Sequence, residues 1–184
     1  MIVKKKEQIA HSQLLNHTSN NTYSKLICLG LGPLNKSVSQ WQLSWFMQMN
    51  ADEKSVYDPI FEKEDLDILV NLQITVKELY MSDCKNTLFY MPHCEYQLME
   101  KIAYLNLDHL ENITFIGTSY NSIRDKRFYS DLSKFAPTWT KFVNTIEDGG
   151  DPIPYRMNEI PLCSEEWIDP HAFNDMCVIT FEKC

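Results

Sequence analysis

A chain of 184 residues with 44% hydrophobic content is long enough to bury one sizeable core and short for two domains. Its formal net charge of −8 and pI near 5.1, with Lys4-Lys5-Lys6 as the largest basic cluster, argue against nucleic acid or an anionic membrane as the main partner. The opening MIVKKKEQIA lacks the apolar core of a signal peptide and no apolar run reaches the roughly 20 residues that span a bilayer, so a soluble cytoplasmic protein is expected, with the nucleus also open to it.

Residues 1–24 are polar and read as a flexible N-terminal arm, in which Ile9, Leu14 and Leu15 give a weak helical pattern; residues 25–184 read as a single domain. From Leu26 the text alternates. Short apolar runs at 26–31, 55–57, 74–76, 87–91 and 113–117 read as strands, separated by segments with helical spacing. Between Ser37 and Asn50 the stripe Val38, Trp41, Trp45, Met49 suits a helix packed on a sheet. Glu62 to Asn71 opens with acids that favour a helix N-terminus, and Glu95 to Leu105 carries Leu98, Met99, Ile102 and Leu105 on one face. Beyond Tyr120, aromatics mix with Pro137, Gly149, Gly150, Pro152, Pro154, Pro161 and Pro170, which predicts one or two helices and then an extended loop. Met176 to Phe181 reads as a last strand. Continuous apolar strands joined by crossover helices imply an α/β fold: a Rossmann-like three-layer sandwich, with a mostly parallel sheet and a C-terminal edge strand.

In open α/β sheets ligands bind beyond the carboxyl ends of the strands, so the residues that follow each strand are the informative ones. The first strand runs into Gly30-Leu31-Gly32-Pro33-Leu34-Asn35-Lys36-Ser37, the second into Asp58-Pro59, the fourth into Pro92-His93-Cys94 and the fifth into Gly117-Thr118-Ser119-Tyr120-Asn121. All are expected to converge on one edge. Glycines let a ligand approach the backbone, and the helix that follows offers N–H groups and a positive dipole end to an anion. Gly32 is expected to hold a positive φ or a close backbone approach. Pro33 removes a donor, and Asn35 stands where a third glycine would complete a dinucleotide fingerprint. A single phosphate, a carboxylate or a nucleoside therefore suits the loop better than a pyrophosphate, and a plain tight turn explains the glycines equally well.

Asp58 occupies the position from which an acid binds ribose hydroxyls, although Asp-Pro also opens ordinary turns. His93 and Cys94 are adjacent, and neighbours on one chain rarely reach each other as base and nucleophile, so a loop histidine beside a half-buried thiol is the plainer reading. Thr118, Ser119 and Asn121 suit ligand contact or the capping of the next helix. The candidate binding set is thus Gly30, Gly32, Asn35, Ser37, Asp58, Pro92, His93, Cys94, Gly117, Thr118, Ser119 and Asn121. His171, in DPHAFND, suits a turn. No pair forms a recognisable acid/base set. The six cysteines show no CxxC pair, so free thiols are expected rather than a metal site.

The stretches ICLGLGPLNKSVSQWQLSWF, VYDPIFEKEDLDIL, TLFYMPHCEYQLMEKI, ITFIGTSYNSI and AFNDMCVITF together resemble the sensitivity-to-red-light-reduced (SRR-like) domain over roughly residues 26 to 181. The resemblance implies regulation rather than a defined reaction. Its members are associated with circadian-clock and light-signalling control in plants, with rhythm and haem-related regulation in animals, and with a microtubule-linked role in a fungal relative. It marks Gly30, Gly32, Asp58, Pro59, Pro92, His93, Cys94, Gly117, Ser119, Asn174 and Asp175 as motif positions and assigns them no roles.

Two functions follow. The first is a regulatory protein that acts through protein partners, its crevice vestigial or occupied by a small molecule, with the aromatic, proline-rich segment 127–170 as a recognition surface. The second is an enzyme or sensor with a nucleoside ligand, S-adenosylmethionine foremost, such as a methyltransferase-like protein. A GxG turn after strand one and an acid after strand two are the contacts such a site needs.

Overall fold

The computed structural model of the chain describes residues 1–9, 14, 16, 18, 22–79, 81–82, 84–92, 94–126, 131, 134, 136–143, 154–162, 168–169 and 171–184. Strands β1 (Tyr23–Leu29), β2 (Ala51–Tyr57), β3 (Thr75–Val76), β4 (Thr87–Met91), β5 (Ile113–Thr118), β6 (Tyr155–Pro161) and β7 (Met176–Lys183) form one sheet in the order β3-β2-β1-β4-β5-β7-β6. The pairs β1–β2, β2–β3, β1–β4 and β4–β5 are parallel, whereas β7 runs antiparallel to both β5 and β6. Helices α1 (Ile2–Ile9), α2 (Ser37–Gln48), α3 (Lys63–Asn71), α4 (Tyr96–Leu105), α5 (Tyr120–Lys126) and α6 (Pro137–Val143) complete the described elements, with a 3-10 turn over Leu107–Asn112. This is the open, mostly parallel α/β sheet that the alternating sequence predicts.

Both faces of the sheet are covered, as the unbroken apolar runs require. Successive side chains on a strand point to opposite faces. Leu26 and Cys28 of β1 join Leu88 and Tyr90 of β4 in a core with Trp45 and Phe46 of α2. Ile27, Leu29, Phe89 and Met91 point the other way, into a core with Met99 and Ile102 of α4 and Trp139 of α6. Trp45 anchors the first core through edge-on contacts with Tyr90 and Phe173, at centroid separations of 5.4 and 5.3 Å.

Three features depart from the sequence reading. The closing strand pairs with the sheet but lies one place in from the edge, because Tyr155–Pro161, expected as extended loop, adds outside it. Its polar and proline content hid it: Arg156, Ile160 and Pro161 are exposed, as an edge strand allows. Residues 2–9, within the segment read as an arm, form a helix on the outer side of α2. Ser44 Oγ donates to Ile2 O at 3.2 Å, Gln48 Nε2 to Lys6 O at 2.9 Å, and Ile9 is fully buried. As a result α2 is buried from Ser39 through Phe46, its polar side as well as its apolar stripe. The glutamines there are bonded through one end of each amide: Gln40 Nε2 donates to Leu34 O at 2.9 Å and Gln42 Nε2 to Ala172 O at 2.6 Å, while the buried Oε1 of each has no partner among the described residues.

The start of α6 is held by an acid from another helix. Buried Glu100 of α4 accepts from the N–H groups of Thr138 at 2.7 Å and Trp139 at 3.1 Å. A carboxylate there satisfies two orphan donors and complements the helix dipole. Glu100→Gln removes one acceptor and should lower unfolding free energy by about 1.5–3 kcal/mol in urea denaturation; unchanged stability would contradict this role.

Candidate functional site

The chain leaves β1 to build β2 and β3 on one side and returns through β4 on the other, so strand order reverses between β1 and β4. Carboxyl ends at such a point leave a crevice. Here it is a cleft of about 930 Å³, with Gly30, Gly32 and Lys36 from the turn after β1, Asp58 from the end of β2, and Cys94 and Glu95 from the end of β4. Leu29, Val38, Leu79 and Leu98 give it apolar walls, and exposed His171 reaches its rim.

The turn after β1 has a defined reason for its glycines. Gly30 and Gly32 have φ of 70° and 72°, a left-handed backbone that a β-carbon strains. The expected positive φ at Gly32 is therefore present. The bends aim the turn's N–H groups at carboxylates of the chain itself. Gly32 N donates to Asp58 Oδ2 at 2.8 Å, and Leu34 N donates to Asp65 Oδ1 at 2.8 Å. The second oxygen of each acid binds its own loop: Asp58 Oδ1 accepts from Ile60 N at 3.0 Å, and Asp65 Oδ2 from Glu62 N at 3.1 Å. Gly30 N is directed to Tyr57 O at 3.3 Å and Lys36 N to Pro33 O at 3.1 Å.

The thiols in and beneath the cleft are insulated. Burial, with Asp58 adding to it, pushes the Cys94 thiol up to about 12. Cys28, in β1 and fully buried, is pushed up by burial first and by Cys94 and Asp58 next. A nucleophilic cysteine needs the opposite shift. Tyr90, also buried in β4, is raised by burial and by Cys28.

Of the candidates named from sequence, Gly30, Gly32, Asp58 and Cys94 meet at this cleft. Asn35 is exposed beside it, and Ser37 Oγ is engaged by Lys5 Nζ of α1 at 2.8 Å. Pro92 is buried, and His93 lies outside the described residues. Gly117 serves packing: a β-carbon there would meet Met99 Sδ at 3.1 Å and Met91 O at 3.3 Å. Thr118 closes β5 half-buried. Ser119 and Asn121 bind an acid from the unforeseen β6, since Ser119 Oγ donates to Glu159 Oε2 at 3.0 Å and Asn121 Nδ2 to the same oxygen at 2.6 Å. Tyr120 N donates to Glu159 Oε1 at 2.6 Å, so the capping expected of this stretch is shared with a distant carboxylate.

Among the described residues no group of three or more His, Cys, Asp or Glu is placed to hold a metal ion, and no helix is long and apolar enough to cross a membrane. The sequence reading missed Asp65, Glu95 and Lys36. Lys36 and Glu95 flank recognised motifs and were legible as neighbours, whereas nothing local distinguishes Asp65 from the other acids that open α3.

The fold and its switch-point cleft define a Rossmann-like α/β domain. A family model described as SRR1 domain matches residues 7–180, and the chain belongs to that family. It is 25% identical over 146 residues to an SRR1-like protein of Mus musculus, covering 72% of this chain and 59% of the mouse protein. It is also 25% identical over 173 residues to an SRR1-like protein of Drosophila melanogaster, covering 86% of this chain and 55% of the fly protein. The chain thus spans rather more than half the length of the curated relatives it matches.

The raised Cys94 thiol has a direct readout. With iodoacetamide between pH 8 and 9, exposed Cys184 should alkylate while Cys94 reacts at least about tenfold more slowly, because so little of it is thiolate there. Peptide mass spectrometry follows both sites, and equal rates would contradict the insulation of Cys94.

Proposed function

We propose that this SRR1-family chain is a regulatory domain that binds a small molecule in the cleft between β1 and β4 and acts through partner proteins. The observation that carries the reading is the cleft itself. It stands at the strand-order reversal, it has the size of a small-molecule site, and its polar groups are arranged for holding rather than reacting. Asp58 is tied to two backbone N–H groups, and Cys94 is insulated by burial. The circadian, light-signalling or haem-related settings implied by the family resemblance are regulatory settings of this kind.

One observation favours a second reading, a methyltransferase-like enzyme or sensor using S-adenosylmethionine. The sheet departs from the dinucleotide-binding order 3-2-1-4-5-6 by inserting antiparallel β7 between β5 and β6. At the cleft, the glycine turn after β1 and Asp58 after β2 are the two contacts that a nucleoside ligand without a pyrophosphate needs. Function rests on the site rather than on the fold.

Thermal melting of the chain with a panel of nucleosides, nucleotides, adenosylmethionine and haem tests the proposal. A ligand at a hundred times its dissociation constant stabilises by about 2.7 kcal/mol, which should raise the melting temperature by roughly 5–10 °C at this size. Cys94→Phe, which puts a bulky ring into the cleft lining, should abolish the shift. A shift that survives Cys94→Phe, or no shift with any compound, would overturn the reading. Transfer of a labelled methyl group from adenosylmethionine to protein in a cell extract would favour the enzyme instead.

A further inference from the structure

We infer that the cleft holds its ligand by a phosphate monoester, seated on the free amides at the start of α2 and the hydroxyl of Ser39. This names the chemical class of the ligand and rests on the proposal that the cleft is a ligand site.

The glycine turn and the helix it leads into differ in the donors they leave free. In the turn, Gly32 and Leu34 donate to Asp58 and Asp65, each at 2.8 Å, and Lys36 N donates to Pro33 O. One residue further on, α2 begins uncapped: Lys36 makes no side-chain cap bond and no acid stands in the first turn. The helix ladder starts with Gln40 N donating to Lys36 O at 3.1 Å, so the N–H groups of Ser37, Val38 and Ser39 have no acceptor among the described residues. Val38 and Ser39 line the cleft, as does Lys36. The amides of Leu31 and Asn35 are also without acceptors, but neither residue is part of the lining. Orphan amides at the positive end of a helix of 12 residues favour an anion on the cleft side of its first turn.

Ser39 adds an observation of a different kind. It is only 2% exposed, yet its hydroxyl has no hydrogen-bond partner among the described residues. The other serines of α2 are engaged: Ser37 Oγ accepts from Lys5 Nζ at 2.8 Å, and Ser44 Oγ donates to Gln40 O at 2.6 Å. A buried hydroxyl left unpaired is costly, and one that lines a cleft is satisfied by an acceptor placed there. That acceptor would meet the Ser39 O–H, the orphan amides and the Lys36 ammonium together. A phosphate monoester suits this number of donors, with three acceptor oxygens and a charge of about −1.5 to −2 near pH 7.

The charged side chains of the lining leave room for it. Lys36 and Glu95 are exposed and of opposite sign, and Asp58 already accepts from the amides of Gly32 and Ile60. Each Asp58 oxygen has a second lone-pair direction, which suits hydroxyls on the phosphorylated molecule, and Leu29, Val38 and Leu98 offer its remainder an apolar wall.

Inorganic phosphate, and the matched pairs AMP with adenosine and GMP with guanosine, test this in the full chain by amide NMR and calorimetry. Phosphate should shift the Val38 and Ser39 amide resonances saturably where chloride at equal ionic strength does not. At least one nucleotide should bind about tenfold or more tightly than its nucleoside, and Ser39→Ala should weaken that binding by about tenfold. Lys36→Asp, which supplies the missing cap and occupies the same amides, should abolish it without lowering the melting temperature of the ligand-free chain. Nucleotide binding unchanged in both variants would overturn this inference. A nucleoside that binds as tightly as its nucleotide, and is lost in Cys94→Phe, would overturn it and leave the cleft as a ligand site. Silence from phosphate and both nucleotides, while another compound raises the melting temperature, would do the same. Silence from every compound would overturn the ligand site and this inference together.

Discussion

Hydrogen bonds from the amides of Gly32 and Leu34 to the carboxylates of Asp58 and Asp65 fix the end of β1, the exit of β2 and the start of α3 as one unit. The conformation of the glycine turn, the entry of α2 and the shape of the cleft depend on that tie. It also changes the meaning of the turn. A glycine loop leading into a helix is a ready-made anion site, and at Gly32 and Leu34 this one is occupied by anions that the chain supplies.

The same device recurs where the sheet ends in helices. Glu159 on β6 accepts from Tyr120 N and Ser119 Oγ at the start of α5, and Glu100 on α4 accepts from Thr138 and Trp139 at the start of α6. α3 opens in a local capping box between Glu62 and Asp65, whereas Lys36 and Glu95, at the N-caps of α2 and α4, make no cap bond through their own side chains. Carboxylates borrowed from other elements join secondary structures that local capping would leave independent. An acidic composition thereby becomes a set of long-range ties.

What could be read from the sequence follows from how far each signal reaches along the chain. β1, β4 and β5 were legible because burial on both faces demands unbroken apolar runs, and α2 and α4 because one stripe faces the sheet. β6 was not, since an edge strand tolerates the Arg156, Asn158 and Glu159 that read as loop. The burial of Gln40, Gln42 and Ser44 was hidden as well, because it requires α1 and the 172–173 turn to close over α2, and no local period records such a contact. At the site, the rule about strand ends found Gly30, Gly32, Asp58 and Cys94. It did not reveal that Asp58 already binds Gly32, or that Ser119 and Asn121 face an acid 38 or more residues away in sequence. Such partners are fixed only by tertiary structure.

Amide hydrogen exchange at Gly32 and Leu34 in the ligand-free chain tests the central claim, that this turn is held by its own carboxylates, most directly. Both amides lie outside any helix or strand ladder, Gly32 half-buried and Leu34 buried, so their release in the matching variants is what isolates the carboxylates from burial. The account predicts that both are slowed by roughly a hundredfold or more relative to an unstructured peptide, and that Asp58→Ala releases Gly32 while Asp65→Ala releases Leu34. Exchange of both amides at the unstructured rate in the unaltered chain would mean that the donors are free and the turn is an open anion site.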